Sequence, residues 1–202
     1  MARPRSPGFE EQRDLILAAA AQLFASRGYS AATMNEVAAA CGVSKPLLYH
    51  YVRDKQALLA QITLGHVARL EALQAEVAAQ GLEPEAHLRT LIQRFMGAYA
   101  RAEHQHRVLT EDVKFLAEAD REAVLAAQRR VVQVFAQAVA AVRPSLANAG
   151  LGTPLAMLLF GMINWTFTWL KPGGALDHDS LAAIVAELFF GGLGAVKPAA
   201  LR

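Results

Sequence analysis

Apolar residues recur every three or four positions along most of the chain, the spacing that lines up one face of an α-helix. From about Glu10 to Arg27 the positions Leu15, Ile16, Ala19, Leu23 and Phe24 share a face, and Gly28 supplies a stop. Short helices are predicted over about 34–40 and 45–51. A long helix then runs from Asp54, a good N-cap, to about Gln80, where Gly81 and Pro84 break it. Further helices are predicted at about 85–102, 105–117, 120–142, 153–170 and 179–195. Pro144, Gly150 and Gly152, and later Pro172-Gly173-Gly174, mark the breaks. No segment reads convincingly as a strand. The expected fold class is all-α, with about nine helices.

The segment 153–170 is apolar on two sides. At about 100° per residue, Leu158, Met162, Trp165 and Trp169 form one stripe, and Phe160, Ile163, Phe167 and Leu170 form another nearly opposite. A helix apolar on two faces must be buried twice. The last predicted helix carries a regular stripe of Leu181, Ile184, Val185 and Leu188.

Composition sharpens this picture. The chain has 202 residues, of which 54% are hydrophobic and 19% charged. That length can bury a core without a disulfide or a metal, and the surplus of apolar residues points to a partner subunit or a ligand. The single cysteine, Cys41, allows no internal disulfide and suits a reducing compartment. Met1 to Asp14 contain no apolar stretch of the kind a secretory leader needs, so a cytoplasmic location is expected. The uncharged run between Arg143 and Lys171 is expected to be a buried helix and not a membrane span, because Asn164, Thr166 and Thr168 interrupt it. Net charge is only +2, and the excess sits in the first 60 residues, which hold seven basic and five acidic side chains. The basic arm 1–8 (MARPRSPG) supplies two of those basic residues, Arg3 and Arg5. An anionic partner is expected there.

Residues 34–53, MNEVAAACGVSKPLLYHYVR, fill every position that a helix-turn-helix requires. Val37 and Cys41 point inward from the first helix, Ala38 is the small crossing residue and Gly42 makes the turn. Val43, Leu48 and Tyr51 lock the second helix. Thr33-Met-Asn-Glu36 is a capping box, and Ser44 can cap the second helix, with Pro46 tolerated in its first turn. Cys41 is expected to be a packing residue.

These residues closely resemble the TetR family of bacterial transcriptional repressors. The carrying positions are Ile16-Leu-Ala-Ala-Ala with Leu23-Phe24, Arg27-Gly28-Tyr29, Thr33, Val37-Ala38, Gly42-Val43-Ser44, Leu48-Tyr49-His50-Tyr51 and Lys55 with Leu58-Leu59. The resemblance implies a DNA-binding domain over 9–58 and a helical effector-binding and dimerisation domain over 59–202. It implies phosphate contacts at Thr33, Ser44, Tyr49, His50 and Lys55, and base-edge contacts at or beside Lys45, Leu47 and Leu48. Hydroxyl side chains at helix starts and a lysine opening the fourth helix suit phosphate binding on physical grounds too. Pro46 and Leu47 depart from the small or hydroxylated residues common in the family. Leu47 can meet a thymine methyl but cannot hydrogen-bond a base.

The resemblance further implies a homodimer on a palindromic operator, released by a small apolar or amphipathic effector. Its dimer interface is expected on the last two predicted helices, assigned here to Phe160, Ile163, Phe167, Leu181, Ile184, Val185 and Leu188. Effector contacts are assigned to Phe95, Met96, Tyr99, Phe115, Phe135, Trp165 and Trp169, each of which reads equally well as core. Which stripe of 153–170 meets the partner is left open by the pattern. Segment 160–176 with Gly191-Gly192-Leu193 resembles the branch of the family that senses acyl-CoA or aryl-CoA thioesters.

Enzymatic chemistry is not expected. Glu103 and His106 form one Glu-x-x-His step, but a helical di-metal site needs a second copy. No phosphate-cradling glycine loop and no nucleophile elbow occurs, so neither cofactor nor metal is expected. The alternatives are a constitutive DNA-binding protein whose pocket is filled by side chains, and a helical enzyme that uses the motif for another contact.

Overall fold

The chain is described by a computed structural model covering residues 7–171 and 173–197. Among these residues there are ten α-helices, two short 3₁₀ turns and no strand. The helices are α1 (Pro7–Arg27), α2 (Met34–Ala40), α3 (Lys45–Tyr51), α4 (Lys55–Ala78), α5 (Pro84–Arg101), α6 (Glu103–Glu111), α7 (Glu118–Val142), α8 (Pro144–Asn148), α9 (Gly152–Ile163) and α10 (His178–Ala195). The 3₁₀ turns are η1 (Val113–Phe115) and η2 (Thr166–Thr168).

The helix starts follow from local chemistry. Thr33 and Glu36 close the capping box reciprocally, with Thr33 N–H donating to Glu36 Oε2 at 2.8 Å and Glu36 N–H donating to Thr33 Oγ1 at 3.2 Å. Ser44 Oγ accepts the Leu47 N–H, and Asp54 Oδ1 accepts the Ala57 N–H at 2.7 Å. Gly42, at φ +64°, makes the turn between α2 and α3 in a conformation that a side chain would strain. Of the expected basic arm, Pro7 and Gly8 already belong to α1; residues 1–6 lie outside the described residues, as does Pro172.

Two compact units form. The first joins the chain up to His66 with Ala102–Leu125. Its α1 lies against α2 and α6. Ile16, Ala20, Phe24, Val37, Leu48, Leu58, Leu59 and Val108 make its core. Arg13 donates twice to Gln61 Oε1, at 3.0 and 2.9 Å, tying α1 to α4. Leu15, expected on the apolar face, is 61% exposed, because the buried stripe of α1 runs through Ile16, Ala20 and Phe24.

The second unit joins Val67–Arg101 with the chain from Ala126 onward. Its α10 lies against α5 and α9. Phe95, Phe135 and Phe160 form an aromatic cluster at its centre, with Phe135 edge-on to each of the others at 4.8 Å. The predicted helix 153–170 stops at Ile163. Beyond it, the Thr166 hydroxyl donates to the Ile163 carbonyl at 3.1 Å and the Thr168 hydroxyl to the Trp165 carbonyl at 2.6 Å. Such hydroxyls compete for the carbonyls that a continuing helix would use, and the chain turns into η2. The short α8 also went unpredicted; it fills the link that Pro144 and Gly150 had suggested was a loop. Among the described residues, no helix is long and apolar enough to cross a membrane.

Candidate nucleic-acid interface

The first unit holds α3 by its inner side and presents its outer side. Leu48 is fully buried, and Val52 is buried just beyond the helix. Lys45, Leu47, Tyr49 and His50 are exposed. Leu47 and Leu48 therefore have opposite roles. Neighbours on a helix point about 100° apart, so only one of two adjacent leucines can enter the core. The expectation that Leu48 lies at or beside the base edges is corrected: its side chain is sealed inside and cannot reach DNA.

The surround of α3 is braced by contacts that the sequence did not single out. Phe9 stacks on Tyr51, with ring centroids 4.6 Å apart, and meets His50 edge-on at 5.9 Å. Phe9 was legible only as an apolar residue in an otherwise polar stretch. Thr33 is exposed, and its hydroxyl donates to Glu36 Oε2 at 2.9 Å. Arg27 donates to the other oxygen of Glu36. The Thr33 hydrogen bonds hold the Glu36 carboxyl below its ordinary range. Cys41 is half-buried and ends α2, and burial pushes its thiol up, away from the reactive thiolate.

Lys55 opens α4, and its ammonium is engaged within the unit. Nζ donates to the Ser30 carbonyl at 3.3 Å and lies 4.3 Å from the centroid of the Tyr29 ring. Burial lowers its pKa from the ordinary lysine value. The Tyr29 ring stacks on Phe115 at 5.4 Å. Phe115, expected among the effector contacts, lies in the compact unit that contains the helix-turn-helix, where it backs Tyr29. Asp112 is buried beside this group. Desolvation, reinforced by Glu111, pushes its carboxyl up to about 6. His106 is also buried, with Nδ1 3.4 Å from His66 Nε2. Among the described residues, no three His, Cys, Asp or Glu side chains are grouped to hold a metal.

In the second unit the expected effector residues divide. Phe95, Met96, Tyr99 and Phe135 are buried. Tyr99 donates to Asn164 Oδ1 at 3.0 Å, and burial pushes its phenol far above the ordinary value. Trp165 and Trp169 are 50% and 52% exposed. The expected dimer residues divide as well. Phe160, Ile163, Leu181 and Val185 are buried within their own chain and Phe167 is half-buried, while Ile184 and Leu188 are exposed. Phe160 and Ile163 therefore cannot offer a surface to a partner: both are buried, and Phe160 packs on Phe95 and Phe135. The outward apolar residues of α9 and its extension are Met157, Leu158, Trp165 and Trp169. An open groove of about 220 Å³ also runs along α7, lined by Gln133, Gln137, Ala140 and Thr153 among others, with no charged side chain.

Residues 16–62 match the family described as bacterial regulatory proteins, tetR family, and residues 81–193 match the tetracyclin repressor-like C-terminal domain. The chain belongs to the TetR family. It is a transcriptional regulator with a DNA-binding helix-turn-helix. A solved TetR-family regulator from Bordetella parapertussis 12822 is 35% identical to it, with a TM-score of 0.84 over 92% of this chain and 97% of the other. The HTH-type transcriptional repressor KstR2 of Rhodococcus jostii is 26% identical over 189 residues, covering 92% of this TetR-family chain and 93% of the relative. The structure of AibR in complex with isovaleryl coenzyme A and operator DNA is 25% identical, with a TM-score of 0.75 over 88% and 97% of the two chains.

Proposed function

We propose that this regulator is an effector-responsive repressor that acts in the cytoplasm and binds a two-fold symmetric operator as a homodimer. The observation that carries the reading is the division of α3 into a buried side at Leu48 and an exposed side at Lys45, Leu47, Tyr49 and His50. That outer side fits a major groove, with Thr33, Ser44, Tyr49, His50 and Lys55 on flanking phosphates. Two such helices related by a dyad require half-sites about one helical turn apart, or a multiple of that. The exposed apolar residues of α9 and α10, Leu158, Ile184 and Leu188, support a partner subunit covering them.

The effector is an acyl-CoA or aryl-CoA thioester. The apolar centre at Phe95, Phe135 and Phe160 suits an acyl or aryl chain, and the Tyr99–Asn164 pair is a polar group beside it that can meet a thioester carbonyl. AibR supports the ligand class, as the structure that holds both isovaleryl coenzyme A and operator DNA. The second reading, a constitutive DNA-binding protein, draws on the mutual packing of those same phenylalanines. Titrating CoA thioesters, the matching free acids and uncharged hydrophobic compounds against a protein–operator complex separates the readings. Release by a thioester alone supports the CoA assignment. Release only by uncharged compounds removes that assignment and keeps the repressor. No release by any compound favours the constitutive reading.

A further inference from the structure

Lys55 is set in place by a chain of contacts that ends outside the helix-turn-helix. A lysine side chain has four rotatable bonds, so an ammonium held in one position needs partners. Ser30 accepts one N–H, and the Tyr29 ring attracts the charge at 4.3 Å. Asp112 and Glu36 add their negative charge. An ammonium has three donors, and the Ser30 carbonyl takes one of them, so N–H capacity remains for an external anion.

The Tyr29 ring is itself fixed from two sides. Phe24 meets it edge-on at 5.2 Å, and Phe115 stacks on it at 5.4 Å with the planes 23° apart. Phe115 ends η1, where its N–H donates to the Asp112 carbonyl at 2.9 Å. Its carbonyl accepts from Gln56 Nε2 at 2.8 Å, and Gln56 Oε1 takes the Ala117 N–H at 3.3 Å. Gln56 follows Lys55 in the chain. One turn of α4 therefore carries the ammonium and grips the loop whose ring backs Tyr29.

We propose that Phe115 is a positioning residue for DNA binding: by backing Tyr29 it holds the Lys55 ammonium where a phosphate can meet it. The proposal rests on the assignment of Lys55 to a phosphate, made above. Phe115 touches no DNA in this scheme. It decides whether a contact made by its neighbour is formed.

The test measures binding of the 202-residue chain to a mixed-sequence duplex across a salt series, since phosphate contacts are independent of sequence. Each lost phosphate contact makes the slope of log affinity against log salt shallower by about 0.9, so a change in both subunits of the homodimer makes it shallower by about 1.8, or about 60-fold in affinity between 1 M and 0.1 M salt. Lys55→Ala is expected to lose that increment. Phe115→Leu, which keeps apolar bulk but removes the ring, is expected to lose nearly as much. Phe115→Tyr is expected to keep the original slope. Lys55→Ala combined with Phe115→Leu is expected to be no shallower than Lys55→Ala alone, as for two changes acting on one contact. Circular dichroism checks folding, and Phe115→Met replaces the leucine variant if that one melts early. A purely structural role would shift the melting temperature and leave the slope. A Phe115→Leu slope equal to the original, beside a shallower Lys55→Ala slope, overturns the proposal alone. An unchanged Lys55→Ala slope overturns the phosphate assignment, and this proposal with it.

Discussion

Phe9 stacks on Tyr51 at 4.6 Å, so the first turn of α1 is clipped to the last turn of α3. The contact joins the start of α1 to the reading helix. Phe9→Ala removes the stack and the apolar area that it covers, an expected loss of about 1–3 kcal/mol. Urea denaturation should show a lower midpoint, and DNA affinity should fall because α3 loses a brace. An unchanged midpoint would mean that the ring contact does not contribute.

Leu47 and Leu48 offer a paired test. Leu48→Ala opens a cavity in the core of the first unit and should cost about 2–5 kcal/mol of stability. Leu47→Ala should leave the melting temperature within about a degree or two and change operator affinity or preference. Selection from a random pool of duplexes reads the preference. Reversed phenotypes would contradict the orientation of α3.

Asp112 predicts a pH dependence. Its carboxyl is pushed up to about 6 in the folded chain, mainly by burial, against about 3.9 when unfolded. The folded state therefore holds this proton more tightly. Stability from this group is full below pH 4 and is lost as pH rises through about 6. Asp112→Asn should be more stable than the parent at pH 7–8 by roughly 2 kcal/mol, and the gap should close toward pH 4. Denaturation curves at a series of pH values measure the gap. A gap independent of pH would point to a cause other than ionisation.

The apolar surface of α9 and α10 separates packing from assembly. Phe160→Ala should cost about 3–5 kcal/mol through a core cavity without dissociating a dimer. Leu188→Glu or Leu158→Glu should leave the isolated subunit folded, because both leucines are 66% exposed. In a dimer each would bury an unpaired carboxylate, at a cost of several kcal/mol. Sedimentation should then show monomer. An intact dimer in both variants would place the interface elsewhere.

The beginnings and ends of the early helices were readable because their determinants lie within a few residues of each other. Thr33 and Glu36, Ser44, and Asp54 with Ala57 each settle a boundary by their own hydrogen bonds. The path after Ile163 was harder to read. A helical wheel carried through residue 170 assumed one axis, whereas the Thr166 and Thr168 hydroxyls turn the backbone aside. The polar interruptions were visible, but as arguments against a membrane span and not as a break. The two tryptophans consequently come out at the surface instead of beside the buried phenylalanines. Phe115 illustrates a different limit. Its aromatic character was plain, but its partner Tyr29 is remote in sequence, and no local pattern links them.

The division of the chain has a consequence for how such regulators can be recombined. The backbone passes between the two compact units three times, after His66, Arg101 and Leu125. A chimera cut once near the end of the reading motif would leave α1 facing a foreign α6, and Tyr29 without Phe115. Transplanting this reading head intact takes two inserts, one ending near His66 and one spanning Ala102–Leu125. The operator preference of this protein therefore travels as a split cassette, and single-crossover exchange within the family would tend to separate the ammonium at Lys55 from the ring that supports it.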